Sequence, residues 1–451
     1  MDTRDFSPSY HDLVRPEIAM LVPPAAEMIL DLGCGAGGLG AHIKARQPCE
    51  YRGIEINSKA AAIAKTRIDR VFGYNIEDHP STNTRHDYDT LICADILEHL
   101  PDPRGVLEFY VKELSETGII IASFPNIAHP SIIADLNRGL FRYATAGVLD
   151  RTHLHHFTLT SIFQLFSQLN LKITKVIPSP NIDNPIQWLI TAKKAPCYGR
   201  KNIATIIIPS SSKQGFIKGT LESIRINTEP NVRIIAINNA LPTELSSWIE
   251  QQDDMLEIRC AQNIGFTTAV NLGIEISDTP YTVILNDDVL VTQNWLTQLI
   301  ACSNFSKDIG IVGPISNRVT GPQKDKNACY IDAAGLAVYA SRVTKENAYR
   351  WIPFRRIVFF CALIKKEVID KLGCLDEQFS PGNYEDDDYC LRAIDAGYRN
   401  MIDGSTFVHH YGSASWQDNP LAYSNLLKKN QALFLQKWGS RGSNFLSLSS
   451  K

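Results

Sequence analysis

The chain has 451 residues, 44% of them hydrophobic and 21% charged, with a formal net charge of -3. That length exceeds the roughly 250 to 300 residues at which one hydrophobic core stops growing, so two domains are expected. Ordinary composition excludes a disordered or fibrous protein, and the near-neutral charge gives no bulk electrostatic pull toward nucleic acid.

The longest apolar runs, 203–209 and 357–364, fall short of the roughly 18 residues of a membrane span. The start, MDTRDFSPSY, has no apolar stretch of a secretion signal, and the ten cysteines include no CxxC pair. A cytoplasmic protein with reduced cysteines is therefore expected.

Short β-rich runs alternate with helical patterns along the whole chain, which predicts α/β architecture with parallel sheets and crossover helices. The first series gives seven strands, at 28–31, 51–56, 71–76, 88–94, 118–124, 171–177 and 186–191. Residues 193–202 (KKAPCYGRKN) are polar, with Pro196 and Gly199, and suit a linker. The boundary is placed near 198, giving domains 1–197 and 198–451. The second series opens with a strand at 203–209, a helix at 219–225, and strands at 232–238, 256–261 and 281–286. The expected fold class is two doubly wound domains.

The first strand leads into Asp31-Leu32-Gly33-Cys34-Gly35-Ala36-Gly37-Gly38. Such glycines let a backbone turn sharply against a ligand at the edge of a parallel sheet. The same glycines satisfy GxGxxG, and Glu55 follows Gly35 by 20 residues, so a dinucleotide reading has to be weighed. Asp31 discriminates. A carboxylate beside this turn repels a pyrophosphate but attracts the ammonium and sulfonium of S-adenosylmethionine, while Glu55 suits two ribose hydroxyls.

With DLGCGAGG (31–38), GIEIN (53–57), YDTLICADILEHLPDP (88–103) and TGIIIASFPN (117–126), residues 25–192 resemble a class I S-adenosylmethionine-dependent methyltransferase. The resemblance implies a seven-stranded Rossmann-like domain whose cofactor set comprises Asp31, Gly33, Cys34, Gly35, Glu55, Ile56, Asn75, Ile76 and Asp95. Tyr74-Asn75 stands where relatives often have Gly-Asp. Methyl transfer to a hydroxyl needs a base, for which His99, His153, His155 and His156 are candidates; none is singled out. Three histidines within four residues (153–156) also raise zinc, but no carboxylate or cysteine is spaced along the chain to complete such a site.

In the second series, the strand YTVILNDDVL (281–290) ends in Asp287-Asp288. Carboxylates at that sheet edge invite a divalent metal that neutralises a departing diphosphate, although Asn-Asp-Asp is also common turn chemistry. Three later stretches decide between these readings: FFCALIKKEVIDKLGCLDEQFSPG (359–382), NYEDDDYCLRAIDAGYR (383–399) and VHHYGSAS (408–415). With them, residues 200–415 resemble family 2 glycosyltransferases of the GT-A fold, especially rhamnosyltransferase-like members.

That resemblance implies transfer of a sugar from a nucleoside diphosphate with inversion. It puts Asp288 with His409, and His410 as its rival, on a Mn2+ or Mg2+ ion, and the general base in Glu385-Asp386, assigned to Asp386. Pro209, Asn238, Asn263, Gly265, Asn271 and Asp287 would line the donor. Asn238-Asn239-Ala240-Leu241 departs from the usual Asp-Asn-Gly/Ala-Ser, which removes a carboxylate expected on the pyrimidine. Asp388 and Arg392, four apart, predict an ion pair, and Asp387 is read as capping or solvated.

The tail at 420–438 has an amphipathic helical pattern with Lys428-Lys429. Packing on its own domain is preferred to contact with a membrane surface at the inner face of the cytoplasmic membrane. Together these readings predict a bifunctional enzyme of bacterial surface-polysaccharide synthesis. Its partners would be a nucleotide-sugar donor and a glycan or lipid-linked acceptor, with no nucleic acid. The rivals are a glycosyltransferase whose N-terminal domain only senses S-adenosylmethionine or acts as a scaffold, and a non-catalytic platform.

Overall fold

The structure is a computed structural model that describes residues 11–79, 88–179, 185–194, 202–211, 214–229, 231–260, 262–412 and 420–449. It divides into two compact units, Met1–Gly199 and Arg200–Lys451. Most of the expected linker, 195–201, lies outside the described residues.

The N-terminal unit contains β1 (Met28–Leu32), β2 (Glu50–Ile54), β3 (Arg70–Phe72), β4 (Tyr88–Cys93), β5 (Leu114–Pro125), β6 (Leu171–Ser179) and β7 (Gln187–Lys194). Their order is β6-β7-β5-β4-β1-β2-β3. β1 to β5 pair in parallel, and β7 runs antiparallel between β5 and β6. Ile29, Ile92 and Ile121 of the central strands, all fully buried, pack with Ile43 of the helix Gly38–Arg46 and with Tyr51. The third strand is shorter than the 71–76 expected. The Asn75 side chain accepts the Glu77 N–H at 3.2 Å and turns the chain into a short 3-10 helix, Ile76–Asp78.

The C-terminal unit contains β8 (Ala204–Ser210), β9 (Val232–Asn239), β10 (Met255–Cys260), β11 (Tyr281–Leu285), β12 (Val289–Leu290), β13 (Ile309–Ser316), β14 (Trp351–Pro353), β15 (Cys361–Lys365) and β16 (Arg399–His410). β8 lies parallel to β9 and β11, β15 runs antiparallel to β11 and β13, and β16 pairs with β13, β12 and β14. Trp295 and Leu299 of the helix Trp295–Asn304 are buried in the same core as Ile206, Val283 and Leu363 of the sheet.

The last helix runs Pro420–Ser449, past the predicted end, with a break at Gly439 (φ 55°, ψ -134°). It is tied to its own unit. Phe434 is fully buried, and buried Asn430 donates to the carbonyls of Phe379 (2.7 Å), Gly382 (3.0 Å) and Asn383 (3.0 Å). No helix among the described residues is long and apolar enough to cross a membrane.

Candidate active sites

After β1 the N-terminal chain builds outward through β2 and β3, then returns to place β4 on the other side of β1. Ligands bind open α/β sheets at such a reversal, beyond the carboxyl ends of the strands. A cavity of about 380 Å³ lies there, and all nine residues expected to hold the cofactor line it: Asp31, Gly33, Cys34, Gly35, Glu55, Ile56, Asn75, Ile76 and Asp95.

The glycine loop is held at both ends. Gly33 and Cys34 donate their N–H groups to the Ile54 carbonyl at 2.9 and 3.0 Å, and Gly35 donates to Glu55 Oε2 at 2.9 Å. Gly35 has φ +55°, and a Cβ there would lie 2.3 Å from the His11 carbonyl oxygen. The chain needs glycine at this point for both reasons. Glu55 Oε1 also accepts the Asn57 N–H at 2.7 Å.

Asp31 is 2% exposed and accepts a 2.8 Å hydrogen bond from the Tyr51 hydroxyl. Burial pushes its carboxyl up to about 7, against the lowering effect of Tyr51, and nearby Glu55 adds to the rise. Burial also pushes the Cys34 thiol well up, so it is no thiolate nucleophile. Asp95, at φ +50°, accepts from Ser123 Oγ (2.6 Å) and Gln187 Nε2 (3.0 Å) and pairs with Arg15.

Tyr51, Arg15 and Gln187 were not foreseen. Tyr51 reaches Asp31 only through the β1–β2 register, in which Ile29 opposes Tyr51 and Asp31 opposes Gly53. Glu98, also on the cavity wall, is 1% exposed, and burial pushes its carboxyl up to about 8.

In the C-terminal unit, β8 has β9 on one side and β11 on the other, so the second reversal lies at the ends of β8 and β11. Pro209 and Ser210 end β8, and Ser210 Oγ donates to Asp287 Oδ2 at 2.5 Å. Asp288 is 5% exposed. Its Oδ2 accepts the Gly412 N–H at 3.0 Å and its carbonyl accepts the Tyr411 N–H at 3.0 Å, which fixes it beside the end of β16.

Asp288 Oδ1 makes no hydrogen bond, yet His410 Nε2 stands 3.2 Å away. His410 Nδ1 lies 2.7 Å from the Arg318 carbonyl, which can only accept, so in the neutral ring Nε2 carries the lone pair. Two lone-pair atoms thus face each other in a buried setting that suits a cation. His409 is turned to Tyr330, with Nδ1 2.6 Å from its hydroxyl, and burial together with neighbouring His410 lowers its pKa.

The asparagines expected over the donor are engaged within the fold. Asn238 Nδ2 donates to Glu257 Oε1 (2.7 Å) and Ser246 Oγ (3.0 Å), and its Oδ1 accepts the Leu241 N–H. Asn239 links to Asn263, which accepts the Gly265 N–H, and Asn271 bridges to Leu375 and Glu377. Gly265, φ +82°, begins the helix Phe266–Glu275 so close to Pro381 that a Cβ would lie 2.6 Å from its Cα.

Four carboxylates start the helix Glu385–Asp395, and all are buried. Asp388 forms the expected pair with Arg392 at 2.8 Å and also receives Trp438 Nε1 (2.8 Å) and Lys437 Nζ (2.7 Å). Asp387 corrects the expectation of a solvated or capping residue. It is 1% exposed, lies 2.7 Å from Arg356 Nε, and burial, reinforced by Asp386, pushes its carboxyl up to about 7. Glu385 is pushed well above the usual range by burial, then by Asp386. Asp386 Oδ1 accepts the Asp387 N–H at 2.8 Å, and no ion pair to Asp386 occurs among the described residues.

Both units thus gather polar and acidic side chains at a strand reversal, and in the N-terminal unit a cavity opens there. Residues 10–176 match the family model of a methyltransferase domain, and residues 205–373 match that of glycosyl transferase family 2. The chain joins a methyltransferase domain to a family 2 glycosyltransferase domain. Among curated proteins, it is 25% identical over 235 residues to the uncharacterized protein y4gI of Sinorhizobium fredii, covering 47% of this chain and 25% of that protein. It is 30% identical over 105 residues to the ubiquinone biosynthesis O-methyltransferase of Vibrio cholerae, covering 22% and 42%. The chain therefore spans less than half the length of these relatives. A solved mannosyltransferase from Pyrobaculum calidifontis, in complex with GDP-Man and Mn2+, is 17% identical, with 57% of this chain and 71% of that one covered and a TM-score of 0.40.

Proposed function

We propose that the N-terminal domain binds S-adenosylmethionine and methylates an acceptor hydroxyl, and that the C-terminal domain transfers a sugar, with inversion, from a nucleoside diphosphate to an acceptor in surface-glycan synthesis. The observation that carries the first half is the pair of buried carboxylates at one strand reversal, Asp31 and Glu55, with the glycine loop tied to Glu55 and the Ile54 carbonyl. Asp31 is pushed up to about 7 by burial in the protein alone. A cationic ligand restores its ionised form, whereas a pyrophosphate would worsen the repulsion. The cofactor supplies a methyl group on a sulfonium leaving group; the chain's residues orient it and exclude water.

In the C-terminal domain, Asp288 and His410 fit a divalent ion, which supplies neutralising charge for the diphosphate leaving group. Asp386 serves as the base that accepts the acceptor hydroxyl proton, because Asp387 is matched to Arg356 and Asp388 to Arg392 and Lys437.

Calorimetry with S-adenosylmethionine and NAD tests the first domain: the former binds and the latter does not. NAD binding alone would overturn the methyltransferase reading. For the second domain, hydrolysis of a panel of uridine, guanosine and thymidine diphosphate sugars gives the donor, and turnover of none of them counts against the reading.

A further inference from the structure

We propose that Glu98, His99 and His153 form a divalent transition-metal site on the wall of the methyltransferase cavity, where the ion binds the acceptor hydroxyl and promotes its ionisation. The role assigned to the ion rests on the methyl-transfer reading of that cavity; the site itself does not. Along the sequence, Glu98 and His153 are 55 residues apart, and spacing gave no carboxylate partner for the histidines. The fold supplies it. One ligand atom from each of the three residues lies within 4.8 Å of the others.

Glu98 is 1% exposed, and neither carboxylate oxygen has a hydrogen-bond partner. Buried carboxylates are ordinarily paired or bound to a metal. The nearby cation, Arg15, is matched to Asp95 and Glu17. Glu98 also shares the wall with the acid Asp150, which disfavours a second bare charge.

The two imidazoles are set in the tautomer a metal requires. His153 Nδ1 is 2.9 Å from the Val148 carbonyl, which can only accept, so that nitrogen carries the proton. His99 Nδ1 lies 3.2 Å from the Thr152 carbonyl and 3.1 Å from Thr152 Oγ1. That hydroxyl spends its own proton on Asp150 Oδ1 at 2.7 Å, so His99 Nδ1 must be the donor as well. In both neutral rings the lone pair is then on Nε2, and a ring N–H held by a backbone carbonyl is the usual support of a metal-ligating histidine.

The frame is fixed by the backbone. Leu154 and His155 donate their N–H groups to the Glu98 carbonyl at 2.8 and 3.1 Å, clamping the 150–155 loop to the turn after β4. Two imidazoles and one carboxylate favour a first-row ion such as Zn2+, Co2+ or Mn2+ over Ca2+, and leave coordination positions open. An acceptor oxygen in such a position is easier to ionise. The hydroxyl proton leaves to solvent, the O–C bond forms as the methyl C–S bond breaks, and the bonding pair returns to sulfur as a neutral thioether.

The test is Co2+ titration of the full-length, metal-stripped protein, followed by visible absorption and calorimetry, with S-adenosylhomocysteine binding measured in parallel. Glu98→Gln and His153→Asn are each expected to lose one equivalent of Co2+, or to weaken it at least about tenfold, and to keep S-adenosylhomocysteine binding. His155→Asn is expected to keep the equivalent, and Asp288→Ala to keep it while losing any ion of the other domain. Wild-type Co2+ stoichiometry and affinity in both Glu98→Gln and His153→Asn would overturn the proposal. If no variant and no wild-type protein bound S-adenosylhomocysteine, the methyltransferase reading would fail while the metal count still decided this one.

Discussion

Replacing Asp31 with asparagine should move stability and cofactor affinity in opposite directions. The side chain is 2% exposed, and its carboxyl is raised from 3.8 to about 7 mainly by burial. A carboxyl raised in the folded state binds its proton more tightly there than in the unfolded chain. Its contribution is therefore fully favourable below pH 3.8 and is lost as pH rises through about 7. By pH 8 the ionised group costs up to about 4 kcal/mol relative to an unperturbed one.

Asparagine keeps the shape, and its amide oxygen can still accept from Tyr51, so the empty variant should melt several degrees higher at pH 8. It should also bind S-adenosylmethionine at least about tenfold more weakly, about 1.4 kcal/mol, because the attraction for the cation is gone. In the wild type, affinity should fall about tenfold between pH 8 and pH 6, since the ligand must expel a proton from Asp31, and this pH dependence should vanish in Asp31→Asn. Calorimetry at the two pH values with parallel thermal melts reads all three effects. Unchanged affinity in a folded Asp31→Asn variant, or wild-type binding that does not depend on pH, would rule out a charge-based role for Asp31.

Sugar transfer should stop in chelator, return with Mn2+ or Mg2+, and be lost in Asp288→Ala, with His410→Ala more damaging than His409→Ala in a metal titration; full activity in chelator removes the ion from the reaction. Asp386→Asn should stay folded and turn over at least about a hundredfold more slowly. Asp387→Asn leaves Arg356 without its counter-charge and should lower stability by about 1 to 2 kcal/mol in denaturant melts, with a smaller loss of rate. Residues 1–197 expressed alone should fold and bind S-adenosylmethionine, and an insoluble fragment would point instead to a core shared between the units.

Most strands were legible in the sequence because each is a short apolar run closed by a turn residue. The Asp31 loop was legible because its glycines directly follow such a run. What escaped depends on register and on distant pairing. Tyr51 meets Asp31 across two strands, Asp387 meets Arg356 from another segment, and Glu98 meets His153 only after the chain folds. The third strand was read too long because an Asn75 side-chain turn, invisible to hydrophobic pattern, ends it early. The bonds of Asn238 to Glu257, Ser246 and Leu241 likewise depend on distant pairing that no local pattern reveals. The last helix was read too short because Gly439 interrupts it without ending it.

On the proposed reading the two domains catalyse two separate transfers. Full-length wild type, Asp31→Asn and Asp288→Ala should be incubated with methyl-labelled S-adenosylmethionine, nucleotide sugars and a glycan acceptor, and the products weighed by mass spectrometry. At limiting S-adenosylmethionine, Asp31→Asn should transfer methyl groups at least about tenfold more slowly and keep sugar transfer, while Asp288→Ala should lose sugar transfer and keep methyl transfer. Wild-type protein that transfers sugar only when S-adenosylmethionine is bound, and never passes on the methyl group, would contradict it and make the N-terminal domain a sensor.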